Sequence, residues 1–241
     1  MKPVLMWAAT AVAFAQQPHT LHDNYYSLSR EAQIGQRFAA QLQGNVTASP
    51  ETRLDGIAHR FAAYSGPFQY QFFAFSGGEP SADTAPAAAF PADWRRLELD
   101  EAIAVASGMI FVPRRLLSRD DGQLAAILAH AIGHVALRHP TIGMTRGELA
   151  QVEVQVASRS LPDEAPELVR AVALKRFAFD RACEAAADLY AVKLLRDAGL
   201  DPATLLGYLR TLPAPHGKDY SVYPTPAERA DTVEKAIADL R

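Results

Sequence analysis

Two histidines four residues apart, His130 and His134, stand in the stretch LAAILAHAIGHVALRHP at 124–140. On a helix that spacing puts both imidazoles on one face, where they can hold one ion together. Neutral imidazole is a good zinc ligand. The pair alone says little, because with 7 histidines in 241 residues chance places about 0.2 such pairs in a chain. The flanks say more. Leu124, Ala125, Ile127, Leu128, Ala129, Ile132, Val135, Ala136 and Leu137 make the helix apolar all round, the mark of a buried helix. Imidazoles inside it need polar partners, and a metal gives one to each ring. Gly133 costs about 1 kcal/mol in mid-helix relative to alanine, which is tolerable where another backbone or a ligand comes close.

Zinc needs a third protein ligand. CEAAADLY at 183–190 carries Glu184 and Asp188, again four apart, among Ala182, Ala185, Ala186 and Ala187. Small side chains let two helices approach closely. Two carboxylates on one buried face are costly unless paired; Glu184 as a ligand and Asp188 as the partner of a ligand histidine would satisfy both. Alternatively the two face water beside Arg181 and Lys193. His139, five residues past His134, is expected to face elsewhere, in a surface or capping role. His59 falls off its helix's apolar stripe and is read as solvated. His216, in a loop, is a weaker candidate for a removable fourth ligand. Cys183 reads as a packed thiol.

The elements that must position these residues follow from periodicity. A helix is expected over 27–44, capped by Ser27 or Ser29, with Ile34, Phe38 and Leu42 on one stripe. A second starts with Ser49 as N-cap and Pro50 in the first turn, and carries Leu54, Ile57 and Phe61. FQYQFFAF at 68–75 reads as a strand, 76–93 as a Gly/Pro/Ala loop, and 96–105 and 109–113 as two further strands. The rest reads as helices: one from Asp120 or Asp121 to about His139, then 145–159, 163–177, one capped by Asp180 and stopped at Gly199, 203–212 and 225–240. The fold class is therefore α+β, mostly helical with one small early β-sheet.

Hydrophobic residues form 49% of the chain and the net charge is -3 with the signs mixed, which gives no case for nucleic acid. Residues 1–15, MKPVLMWAATAVAFA, have an early Lys, a short apolar run and small residues at Ala13 and Ala15. That is the layout of a secretory signal peptide. It leaves 16–241 as a single domain, exported to a periplasm or secreted. The single cysteine cannot form an internal disulfide.

Taken together the motifs resemble the zinc metallopeptidases of the CAAX prenyl protease, HtpX and BepA type (peptidase family M48), which carry HEXXH on one helix and E-x-x-x-D on a later one. DAGLDP at 197–202, EAIAVASGMIFVPRRLL at 101–117 and VYPTPAER at 222–229 are similar to further family segments in the same order. The resemblance implies a zincin-like fold and Zn2+ held by His130, His134 and Glu184. It implies that Asp188 orients a ligand histidine, that Arg229 lies near the developing oxyanion, and that Tyr223 stands where the family has a histidine. It also implies that an extended or unfolded polypeptide lies along an edge strand at 101–112, against Ala102, Ala104, Ala106 and Gly108.

The departures carry as much weight. The family's base glutamate is Ala131, its Asn is Glu101, and its PGG is Ala106-Ser107-Gly108. Several departures together favour natural divergence over one engineered change. Alanine cannot take a proton from water, and losing a general base typically costs 10²–10⁴ in rate. Metal binding need not suffer. The expectation is a peptide-binding zinc protein with weak or lost proteolysis. The alternative is a pseudopeptidase, with or without zinc, serving as an envelope chaperone or assembly factor associated with membrane or envelope proteins. A third reading has another base, such as Glu101, in place of the missing one.

Overall fold

In the computed structural model the described residues are 24–64, 68–77, 101–160, 165–213 and 224–240. The expected leader at 1–15, the stretch 78–100, His216 and Tyr223 lie outside them. The described residues are α+β and mostly helical, as expected, with a four-stranded sheet.

Helix α1 (Leu28–Asn45) begins where Ser27 Oγ accepts the Arg30 N–H at 3.2 Å. The chain then enters strand β1 (Val46–Pro50), which corrects the expectation that Ser49 and Pro50 open a helix. Strand β1 is an outer strand, and there a proline forfeits no ladder hydrogen bond. Helix α2 (Thr52–Ala58) starts two residues later, with the Glu51 carboxylate accepting the Arg53 N–H at 3.4 Å. His59 follows it and is exposed.

Strands β2 (Gln71–Gly77), β3 (Ile103–Ala104) and β4 (Met109–Pro113) complete the sheet in the order β1-β2-β4-β3. The β2/β4 pair is parallel and the other two are antiparallel. Of the strand expected at 96–105, only 103–104 is a strand among the described residues. Gly108 closes the turn into β4 with φ 98°. A Cβ there would meet the Gln69 carbonyl oxygen at 2.4 Å, so both conformation and space demand glycine.

Helix α3 (Asp121–Ala136) carries the histidine pair, and the Asp120 carboxylate caps it by accepting the Gln123 N–H at 2.9 Å. It is the central element of the core. Its Leu124, Ile127, Leu128 and Ile132 belong to one buried cluster with Leu54 and Phe61, Phe72 and Ile110 of the sheet, and Leu195, Leu205 and Tyr208. The apolar-all-round pattern thus means burial on every side.

Helix α4 (His139–Ser160) starts earlier than the expected 145, because Pro140 fits the first turn of a helix. Helix α5 (Ala165–Asp197) is continuous, so the expected break and the Asp180 cap are corrected. No glycine interrupts that span, and an aspartate inside a helix costs only about 0.7 kcal/mol. Gly199 ends α5 at φ 68°, and the Leu200 N–H reaches back to the Leu195 carbonyl at 2.8 Å, as expected of the AGLDP turn. Helices α6 (Ala203–Leu209) and α7 (Pro226–Ala238) follow. Among the described residues no helix is long and apolar enough to cross a membrane.

Candidate metal centre

Helices α3 and α5 meet at Gly133. A Cβ on it would stand 3.0 Å from the Ala187 carbonyl oxygen and 3.2 Å from the Ala187 Cα. The hydrogen of glycine and the methyl of Ala187 let the two backbones touch between His134 and Asp188. That contact accounts for the glycine and for the small side chain at Ala187.

The close approach brings His130, His134 and Glu184 together, each with one donor atom within 4.8 Å of the others. The Nε2 atoms of His130 and His134 face each other at 3.1 Å. Both lie 3.4 Å from the Glu184 carboxylate, His130 from Oε2 and His134 from Oε1. Glu184 and Asp188 do not face water. Their side chains are 14% and 0% exposed, while Arg181 pairs with Glu228 and Lys193 with Asp197.

Asp188 holds His130 from behind, its Oδ1 2.8 Å from His130 Nδ1. It also accepts Arg229 Nε at 2.8 Å and Nη2 at 2.9 Å. Arg229 comes from the first turn of α7, which a Thr225–Glu228 capping box anchors. Its Nη1 donates to Glu101 and lies 3.4 Å from Glu184 Oε2. The guanidinium is thus beside the ligand set and committed to three carboxylates. Ala131, between the two ligand histidines, is buried.

Burial and the Arg229 charge push the His130 imidazole down, but Asp188 and Glu184 outweigh them and raise it to about 9. Burial lowers His134 to about 4, against the attraction of Glu184. Burial would raise Glu184, yet the neighbouring His134, His130 and Arg229 hold it far below the usual carboxylate range.

These residues fit a divalent cation on three counts. Two nitrogens and a carboxylate converge, a donor set suited to zinc. Glu184 Oε2 is buried and makes no hydrogen bond, a cost that an ion would remove. Asp188, Glu184 and Glu101 face one guanidinium, so with neutral imidazoles the cluster is two charges short of neutral.

The structure corrects the expectation for His139. It is buried, and its Nδ1 lies 3.1 Å from His134 Nδ1. Helical spacing failed because α3 ends at Ala136 and Arg138 takes a left-handed φ of 59°. Pro140 was the available signal: a proline clashes with the turn before it inside a helix, so the periodicity of α3 could not reach His139. Sequence reasoning also could not foresee the Glu101–Arg229 pair, which joins residues 128 apart. Among the described residues β3 is the outer strand; Ala104 lies on it and Ala102 just precedes it. Ala106 and Gly108 belong instead to a tight turn and are buried. Cys183 is buried, and burial pushes its thiol up to about 12, in keeping with a packed, unreactive group.

The family model described as Peptidase family M48 matches residues 97–237, a span that takes in every residue of the centre. No curated protein matches the chain.

Proposed function

The chain belongs to peptidase family M48, and from that membership we propose that it is a zinc-binding member that holds extended polypeptide while cleaving it weakly or not at all. The observation that carries this reading is the contrast inside HAIGH: the ligand positions converge with Glu184, while Ala131 stands where the family's base would be. His130, His134 and Glu184 would hold the zinc, in a zincin-like arrangement. Zinc there would act as a Lewis acid toward a peptide carbonyl and toward water.

The remaining roles belong to the chain. Asp188 fixes the His130 ring so that Nε2 points at the centre. Arg229 fixes Asp188 and offsets the carboxylate charge. Ala131 has no atom that can accept a proton or return one to a leaving amine, so the proton traffic of hydrolysis has no carrier at that position. Glu101, the other candidate base, is engaged on the same guanidinium. The outer strand β3 offers the kind of edge to which an extended peptide adds. We place the protein outside the cytoplasm on the strength of the 1–15 leader, with unfolded or envelope polypeptides as partners.

The test is binding and cleavage measured together. A fluorescent unfolded polypeptide such as reduced, carboxymethylated casein should bind the zinc-loaded protein saturably and remain intact over hours. No saturable binding removes the peptide-holding reading, and rapid cleavage removes the reading of lost proteolysis.

A further inference from the structure

We propose that His139 is a positioning residue for the ligand His134, accepting a hydrogen bond from His134 Nδ1–H so that Nε2 is left free to face the metal. This inference rests on the zinc reading of the site.

The geometry has two parts. His134 uses Nε2 toward the centre, 3.1 Å from His130 Nε2 and 3.4 Å from Glu184. Its other nitrogen, Nδ1, points away and lies 3.1 Å from His139 Nδ1. The rings meet edge to face, with centroids 5.0 Å apart and planes at 78°. A neutral imidazole that ligates through Nε2 carries its proton on Nδ1, and that N–H needs an acceptor. His139 Nδ1 supplies the lone pair only when the His139 proton sits on Nε2. One ligand is therefore set by a carboxylate, His130 on Asp188 at 2.8 Å, and the other by a neutral ring.

The second part is the turn that delivers His139. On an unbroken helix a residue five positions on lies well round the cylinder from its partner. Arg138 breaks the helix with φ 59°, a conformation that costs a non-glycine residue roughly 1–2 kcal/mol and persists only where the surroundings over-determine it. They do so here. Arg138 Nε donates to Glu31 Oε1 at 2.9 Å, and its Nη2 donates to the Tyr26 carbonyl. Buried Glu31 also accepts from Thr141 Oγ1, and from Asn24 Nδ2 at 3.0 Å. A clamp formed by the start of α1 thus holds the one backbone bend that turns His139 toward His134.

The test uses zinc affinity and imidazole tautomers, not turnover. Long-range 1H–15N spectra of the zinc-loaded protein should show His134 protonated at Nδ1 and His139 neutral with its proton on Nε2. His139→Phe keeps a ring but no acceptor, and should weaken zinc binding by about 10–100-fold in competition with a chromogenic chelator. His139→Asn places Oδ1 near the old Nδ1 and should recover most of that loss. The proposal is overturned if His139 is an imidazolium or the Nδ1–H tautomer, or if His139→Phe binds zinc within about twofold of the parent. The tautomer reading decides the matter even if the Phe variant fails to fold. A parent that binds no zinc defeats the zinc reading itself, a separate outcome.

Discussion

Ala131→Glu should raise the rate of hydrolysis of an unfolded protein by about 10²–10⁴-fold over the parent, with zinc content unchanged. The position lies between the two ligand histidines on α3 and supplies no ligand atom. Adding the carboxylate therefore restores a proton carrier without altering the donor set. A competing effect is visible in the structure. Ala131 is 1% exposed, so the new carboxylate enters a dry place and is costly there unless a cation compensates. The variant should consequently lose more thermal stability when metal-free than when zinc-loaded. Casein cleavage, metal content and melting in both states check the three parts. A zinc-loaded variant no faster than a parent that is already active would mean that Ala131 is not the missing piece.

Asp188→Ala should damage stability and metal affinity together. Asp188 is fully buried, pairs with Arg229 through two hydrogen bonds and supports His130 Nδ1. Its removal leaves a buried guanidinium with only Glu101 and Glu184, and breaking such a pair costs about 3–5 kcal/mol; the two remaining carboxylates argue for the lower end. It also frees the His130 ring, which should weaken zinc binding by about 10–100-fold. Burial alone would raise the Asp188 carboxyl, but Arg229 and His130 outweigh it and hold it below the usual range. A carboxyl depressed in the folded state stabilises it above the unfolded value of about 3.9 and ceases to as pH falls through the folded one. The parent's advantage over Asp188→Ala should therefore be full near neutrality and shrink below about pH 4. Denaturant midpoints across pH test the first claim and chelator competition the second. Equal midpoints at pH 7 would show that Asp188 does not carry the cluster.

The parts of this site that were legible in the sequence are those set by local periodicity. An i, i+4 pair on an apolar helix, a second pair on an alanine-rich one, and a glycine that only close packing excuses gave His130, His134, Glu184 and the α3–α5 contact. Asp120 and Gly199 marked helix ends because capping is chemistry within one turn. Non-local features were hidden. Strand β1 looked like a helix start because Ser-Pro reads as a cap, and only its place at the sheet edge makes the proline acceptable. Nothing in its local pattern singled out Glu31, which is buried on Arg138. His139 was misplaced because one left-handed residue cancels helical spacing. The Arg229 bridge to Glu101 and Asp188 depends on how α7 returns to α5, which no spacing encodes.

The most direct test of the account is a calorimetric titration of the metal-free protein with zinc. At pH 7 it should show about one tight site per chain and the release of about one proton, taken from His130, whose carboxylate neighbours hold it at about 9 while His134 is already neutral. Affinity should rise with pH until His130 is neutral, and His134→Ala should abolish the tight site. Absence of stoichiometric zinc binding in the parent, or equal binding by His134→Ala, would contradict the claim that His130, His134 and Glu184 form a metal centre.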